Sequence, residues 1–457
     1  MVELLAVLSR YYFVFLMVCF IIVGYGFLRG FGDRLHTQKA IIVLFAIFAF
    51  AIIAGTWQGT LYAFFVIALG LFGSFFLGRV YRNLCPLMTN IVMFKLTLGF
   101  IMLWRLDDGL AWRQLAFATL AIAVSLLIPL AFKIFKNFER LEKVYFLICL
   151  GLLLLVTMAS WLAGFTNIPL VAIDQFGSAR WISIAGMSFQ PSEFAGLVFL
   201  LFVATAFRQK PTLAKLAFAS AAVAGIVLVL VMQRNLGGAL MFFVVYMVMM
   251  YAATGSKVLF LGGFGAMAVA STVAYHIFPH IRVRVAAFID PWGDVSDGGF
   301  QLTQSMFAVA TWGPFGSGLL RGLPDRIPVV ERDVIFSAIS EEFGWIFGLL
   351  LLALYILFLI RGLQLARRST RPLYAMMALG FATFLSFQAF VSIAGNIRFM
   401  PMTGVTLPFI SYGGTSVFVC ILMLGVLNWL NSQVDENPYL AGKYDEEELD
   451  KTPEESL

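Results

Sequence analysis

Apolar residues run along this chain in stretches of about 17 to 25 positions, the length of one helix across a hydrocarbon core of about 30 Å. They fall at residues 12–28, 40–56, 60–78, 87–105, 111–132, 144–164, 191–208, 214–232, 236–253, 257–277, 342–361, 372–394 and 404–430. None alternates with the period of a bilayer-spanning strand. The pattern predicts an all-α fold, a polytopic transmembrane helix bundle of about 13 spans.

Polar positions then set the topology. Five short Arg/Lys-rich loops, at 29–39, 79–82, 133–143, 208–215 and 361–371, follow every second span. Positive-inside asymmetry makes them cytoplasmic. The same alternation puts 164–190, the long polar stretch 278–342 and the link 395–403 on the outer face. A connection of this last length is functional or disordered, and its aromatic and aliphatic content argues against disorder. Residues 1–80, with no long outer loop, read as an accessory unit of three helices. Residues 81–433 read as the membrane core, with its extracytoplasmic loop at 278–341, and 434–457 as an acidic, disordered cytoplasmic tail.

Composition agrees with a multi-pass membrane protein: 61% of 457 residues are hydrophobic and 12% charged, and mean hydropathy is +0.92. The formal charge of +6 hides an acidic tail of nine acids and two lysines, so the body is more basic still. Those cations sit in short loops, where topology accounts for them. No basic stripe with stacking aromatics lies outside the membrane, so nucleic acid is not an expected partner. Cys19, Cys85, Cys149 and Cys420 lie in or beside apolar runs without CxxC or His spacing, which argues against a disulfide framework or a zinc site. The first run lacks a small-residue cleavage pattern and reads as a retained helix.

Candidate chemistry gathers in the outer segments. The first carries Arg180 and Trp181, then Gln190-Pro191-Ser192-Glu193 at a helix entry. Arg180 beside Trp181 serves either as an interfacial anchor or as a phosphate ligand, and 190–193 as a helix cap or a binding site. Gln233-Arg234-Asn235-Leu236-Gly237-Gly238 forms a polar turn, and Lys95 lies inside an apolar run, where an amine is costly unless paired or snorkelling. In the long loop stand Gln301, Gln304 and Ser305, then Gly316-Ser317-Gly318-Leu319, then Pro328 to Gly344. A helix starting near Asp333 would put Asp333, Ser337, Ser340 and Glu341 on one face, as a polar stripe pointing into a cavity. In the last link Arg398 is followed by Pro408, Ser411, Tyr412, Gly413 and Gly414, which predict a broken or kinked helix.

Taken in order, these motifs resemble the SEDS family (shape, elongation, division and sporulation), the FtsW, RodA and SpoVE proteins of bacterial cell-wall synthesis. The resemblance spans about residues 87 to 430 and rests on GxxRWI, FQPSE, GxQxxQS, GxGL, PxxxxDxIFxxIxEExG and NxxxxPxTGVxLPFISYGGTS. It implies polymerisation of lipid II, a disaccharide-peptide on undecaprenyl diphosphate, into glycan strands at the outer face of the cytoplasmic membrane. It also implies a class B penicillin-binding protein as partner, alongside membrane lipid. The essential acid of PxxxxDxIF is here Asp333, which would take the proton of the acceptor hydroxyl. Arg180, Trp181, Gln190, Ser192, Glu193, Arg234, Gln301, Gln304, Glu341, Arg398, Ser411 and Tyr412 would bind substrate. No protein metal site is read from the sequence, and whether a divalent cation such as Mg²⁺ or Mn²⁺ assists the diphosphate stays open.

Two positions depart from the family pattern. Gly196 stands where a lysine usually follows FQPSE, and Gln233-Arg234-Asn235-Leu236-Gly237-Gly238-Ala239 replaces QPDLGTA. Arg234 would restore the charge lost at Gly196. The rival readings are a transporter of lipid-linked precursors, for which mid-membrane acids would be expected, and a catalytically weak scaffold for a transpeptidase.

Overall fold

Helix starts coincide with residues that suit a first turn. Proline, whose missing N–H is no loss there, opens Pro86–Leu106, Pro191–Ala206, Pro279–Ile289 and Pro372–Asn396. Thr56, Asp107, Thr212, Asn235 and Ser256 instead accept a backbone N–H from the turn that follows each.

The computed structural model describes residues 2–31, 35–135, 137–163, 171–173, 179–184, 187–293 and 299–434. Along them run α1 (Val2–Leu28), α2 (Leu35–Ile53), α3 (Trp57–Val80), α4 (Pro86–Leu106), α5 (Asp108–Ser125), α6 (Ile128–Ile134) and α7 (Glu142–Ala163). A small antiparallel sheet follows, β1 (Val171–Ile173), β2 (Ala179–Ile184) and β3 (Met187–Phe189). Next come α8 (Pro191–Ala206), α9 (Leu213–Met232), α10 (Leu236–Thr254), α11 (Lys257–Ile277), α12 (Pro279–Ile289) and α13 (Phe300–Thr311). The chain ends with α14 (Ile335–Phe343), α15 (Trp345–Arg368), α16 (Pro372–Asn396) and α17 (Gly414–Ser432).

Twelve helices among the described residues, α5 and α6 taken as one, are long and apolar enough to cross a membrane, and α8 is a shorter apolar helix in the remaining expected place. The bundle is built round α4, whose residues from Leu87 to Leu103 are all buried. A helix apolar on every side belongs there. The N-terminal helices lean directly on this core: α1 lies along α14 and α15, α2 along α4, and α3 against α4 and α5. Among the described residues the four cysteines are free.

Three basic loops meet at one end of the bundle. Arg208 donates from Nη1 to the Glu139 carbonyl (2.6 Å), Arg371 lies 3.7 Å from the Glu139 carboxylate, and Lys215 lies 3.3 Å from Glu142. The segments expected on the outer face gather at the opposite end. There the structure corrects three expectations. The first outer segment contains the small sheet rather than only a loop. The long stretch holds three helices and a 3₁₀ turn, Pro324–Arg326. The expected span 404–430 becomes helical only at Gly414, and the residues before it are irregular, so of a broken or a kinked helix it is the break that is found. Asp294, Asp297 and the acidic tail beyond Val434 lie outside the described residues.

One crossing fixes the outer end. The Ser317 and Gly318 amides donate to the carbonyls of Glu341 and Glu342 (both 2.9 Å), and the Ile346 amide donates to Pro314. Gly316 has φ +71°, and a Cβ on it would stand 2.4 Å from the Gly344 nitrogen and 2.5 Å from the Glu342 oxygen. Only glycine lets the two backbones pass. Gly316→Ala is therefore expected to cost about 3 kcal/mol of stability, read as a drop in thermal midpoint of the detergent-solubilised protein. An unchanged midpoint would show that the crossing is not held at this separation.

Candidate functional site

The site is assembled from segments far apart in sequence. Trp181 on β2, Gln190, Ser192 and Glu193 at the start of α8, Arg234 in the turn before α10, and Gln301 on α13 all line one cavity of about 380 Å³. Asp333, Arg332 and Tyr412 line it too. More of the wall comes from His280, Arg284 and Phe288 on α12, Phe384 and Gln388 on α16, Val329 before Asp333, and Thr406 in the last link.

The Asp333 turn is held by backbone contacts. Asn396 Nδ2 donates to the Asp333 carbonyl (2.9 Å), the Tyr412 amide to the Glu331 carbonyl (2.7 Å), and Gln301 Nε2 to the Pro328 carbonyl (3.0 Å). Val329 within it has φ +55°, Arg234 across the cavity +59° and Arg398 nearby +56°. Left-handed backbone at a β-branched residue is costly, of the order of 1–3 kcal/mol, and persists only where the surroundings enforce it.

The cavity is rich in cations. Arg234, Arg284 and Arg332 line it, and Arg284 also donates from Nη1 to the Met402 carbonyl (3.0 Å). Burial lowers the His280 pKa, and the nearby charges of Arg234 and Arg284 lower it further, so its ring is held neutral. Glu193 and Asp333 are the acids of the wall, and Glu193 is hydrogen-bonded by Ser416. Among the described residues no group of three or more His, Cys, Asp or Glu could hold a metal ion. The described residues therefore offer no all-protein cage for Mg²⁺ or Mn²⁺.

Four expected substrate ligands lie elsewhere. The helix starts at Ile335, not at Asp333, so the polar stripe divides. Ser337 turns to Ser305 and to the Asn396 Oδ1, and Glu341 points away from the cavity to accept from the Leu323 amide (2.7 Å) and bond Trp312. Arg398 closes the end of α12, donating to the carbonyls of Phe288 (3.0 Å) and Ile289 (2.7 Å). Ser411 is buried, its hydroxyl accepting from the Leu407 amide (2.8 Å). Gln304, one turn beyond Gln301, is not on the wall. The Arg180 side chain lies outside the described residues. Lys95 is buried between aromatic rings, its Nζ 3.4 Å from the Tyr355 ring centroid and 5.7 Å from that of Phe409.

Of His280, Arg284 and Phe288, the sequence offers only Arg284, as one of the outer-face arginines able to neutralise the donor diphosphate. The three stand at i, i+4 and i+8 behind Pro279, one face of a short helix hidden inside an apparent loop.

A family model for cell cycle proteins of the FtsW, RodA and SpoVE type matches residues 84–436. The chain belongs to this family. It is 31% identical over 373 residues to the peptidoglycan glycosyltransferase RodA of Mycobacterium tuberculosis, covering 75% of this chain and 76% of that one. Stage V sporulation protein E of Bacillus subtilis is 31% identical over 363 residues, 75% of this chain and 95% of its own. Among solved structures, a chain of a peptidoglycan synthase complex that coordinates polymerisation and crosslinking superposes with TM-score 0.62 at 26% identity, covering 76% of this chain and 98% of the other.

The two departures from the family pattern acquire a geometry. A Cβ on Gly196 would meet the Phe384 ring at 3.1 Å, and Phe384 itself lines the cavity, so the ring covers the place where a longer side chain would start. Arg234 reaches the same cavity from another side.

In the outer segment, Glu342 is fully buried and pairs with Arg105 Nε (3.1 Å), and Arg105 Nη1 also reaches Asp325 (3.5 Å). Burial pushes the Glu342 pKa from 4.5 up to about 7 against the pull of Arg105. Its folded pKa is raised, so the native state holds a proton that the unfolded chain releases, and this contribution to stability is lost as pH rises from 4.5 through 7. Wild type is expected to lose stability relative to Glu342→Gln across that window, with a slope approaching about 1.4 kcal/mol per pH unit. Parallel melting curves of the two proteins from pH 4.5 to 8 would contradict it.

Proposed function

We propose that this protein is a peptidoglycan glycosyltransferase that polymerises lipid II at the outer face of the cytoplasmic membrane. The observation that carries the reading is one cavity, at the end of the bundle opposite the basic loops, lined by Asp333 together with Arg234, Arg284 and Arg332. Family membership and the activity in the name of the mycobacterial relative support it.

Asp333 acts as general base. A sugar hydroxyl of the acceptor loses its proton to the carboxylate as its oxygen attacks the anomeric carbon of the donor from the face opposite the diphosphate. The bond to the diphosphate breaks, and undecaprenyl diphosphate leaves with the electron pair. Arg234 and Arg284 meet the growing negative charge on the leaving group through charge-assisted hydrogen bonds. Arg234 supplies the cation that the family pattern usually places at the position of Gly196. Neutral His280 can donate one hydrogen bond to a phosphate oxygen and adds no charge. Trp181 and Phe288 give the saccharide apolar faces, and Gln190, Gln301 and Tyr412 offer polar contacts to its hydroxyls and peptide.

The partner is a class B penicillin-binding protein, a transpeptidase that crosslinks the strands made here. The solved relative from a synthase complex that couples both steps supports this assignment.

Two substitutions separate base from anion site. In polymerisation of purified lipid II, Asp333→Asn is expected to lower kcat at least about 100-fold, the scale of a lost general base. Arg234→Ala is expected to raise KM about tenfold, the scale of one charge-assisted hydrogen bond. Wild-type turnover by Asp333→Asn would end the proposed role of that residue. Lipid II binding without strand formation by the wild-type protein would favour transport or scaffolding instead.

A further inference from the structure

The family model begins at residue 84 and says nothing of α1. Yet α1 reaches the base of the segment that carries Asp333. Its buried face runs Ala6, Ser9, Phe13, Met17 and Phe20, a helical stripe in which Ser9 is the one polar member. The Ser9 hydroxyl donates to the Ala6 carbonyl (2.6 Å) and accepts from the Leu319 amide (3.2 Å). Next to it Gly318, at φ +94°, comes so close that a Cβ there would stand 2.3 Å from the Ala6 carbonyl oxygen. Tyr11 meets Phe315 with ring centroids 5.0 Å apart, and Phe13 meets Phe343 at 5.1 Å.

Leu319 and Phe343 are thus both held against one helix. Between them the chain leaves α1, reaches the cavity wall at Val329 and Asp333, and returns through α14. Its two ends are also tied to each other, Ser317 to Glu341 and Gly318 to Glu342. We infer that α1 is a positioning element for glycosyl transfer: it clasps the base of the 319–343 loop so that the turn at its tip presents Asp333 to the acceptor. The inference rests on the proposed role of Asp333.

The test compares two ties between the N-terminal helices and the core. Ser9→Ala removes the acceptor of the Leu319 amide. Gln38→Leu breaks a link well away from the loop, where Gln38 donates to the Phe20 carbonyl (3.0 Å) and accepts from Asn90 Nδ2 (3.1 Å). Full-length variants are compared per folded molecule, by lipid II polymerisation and by hydrogen exchange over residues 313–343.

Ser9→Ala is expected to lower kcat about tenfold with KM within about twofold, as for a change felt mainly in the transition state, and to speed exchange at Leu319. Ser9→Thr, which keeps the hydroxyl, restores both, and Gln38→Leu changes neither. Should Ser9→Ala fail to fold, Tyr11→Ala, whose ring is half exposed, is expected to lower kcat in the same direction. Wild-type turnover in the variant that folds, or an equal loss in Gln38→Leu, overturns the inference. An inactive wild type whose Leu319 amide is still protected by Ser9 would instead refute the proposed activity, and the positioning role with it.

Discussion

Irregular backbone has to be paid for inside a membrane bundle, because an N–H or C=O without a partner in hydrocarbon costs several kcal/mol. Residues 404–413 are such a stretch, and the site depends on how their groups are satisfied. Gln114 serves both directions, donating to the Ser411 carbonyl (2.9 Å) and accepting from the Gly413 amide (3.2 Å). Tyr355 donates to the Pro408 carbonyl (2.6 Å), and Gln388 to that of Thr406 (3.2 Å). The Tyr412 amide reaches across to Glu331. Side chains from α5, α15 and α16 thereby give partners to the peptide groups of Thr406, Pro408, Ser411 and Gly413 in a non-helical segment that lines a polar chamber.

The same economy accounts for polar residues that the structure engages within the protein rather than on the cavity wall. Arg398 spends its guanidinium on the last carbonyls of α12, and α12 carries His280 and Arg284. Ser411 caps the turn before Tyr412. Lys95 lies on the Tyr355 ring while the Tyr355 hydroxyl holds Pro408. These residues hold elements that carry the cavity wall.

The fold was legible because span length and the period of basic loops follow from bilayer thickness and charge alone. The grouping of Trp181, Glu193, Arg234, Asp333 and Tyr412 on one wall was harder to read, since it depends on which loops converge, although placing those loops on a common face narrowed the choice. Helical spacing misled at Glu341. Periodicity relates residues only within one helix, and Asp333 stands two residues ahead of its start. Phe384 over Gly196 was beyond reach, because that contact joins α8 to α16.

The left-handed backbone at Arg234, Val329 and Arg398 has an evolutionary consequence. Glycine at any of these positions would relax the local conformation, and elsewhere such relief is a common route to a hardier protein. Here it would delete a cation or loosen the wall beside Asp333. Selection for robustness alone would therefore erode this rim first, because local relief of backbone strain and the shape of the cavity wall pull in opposite directions there.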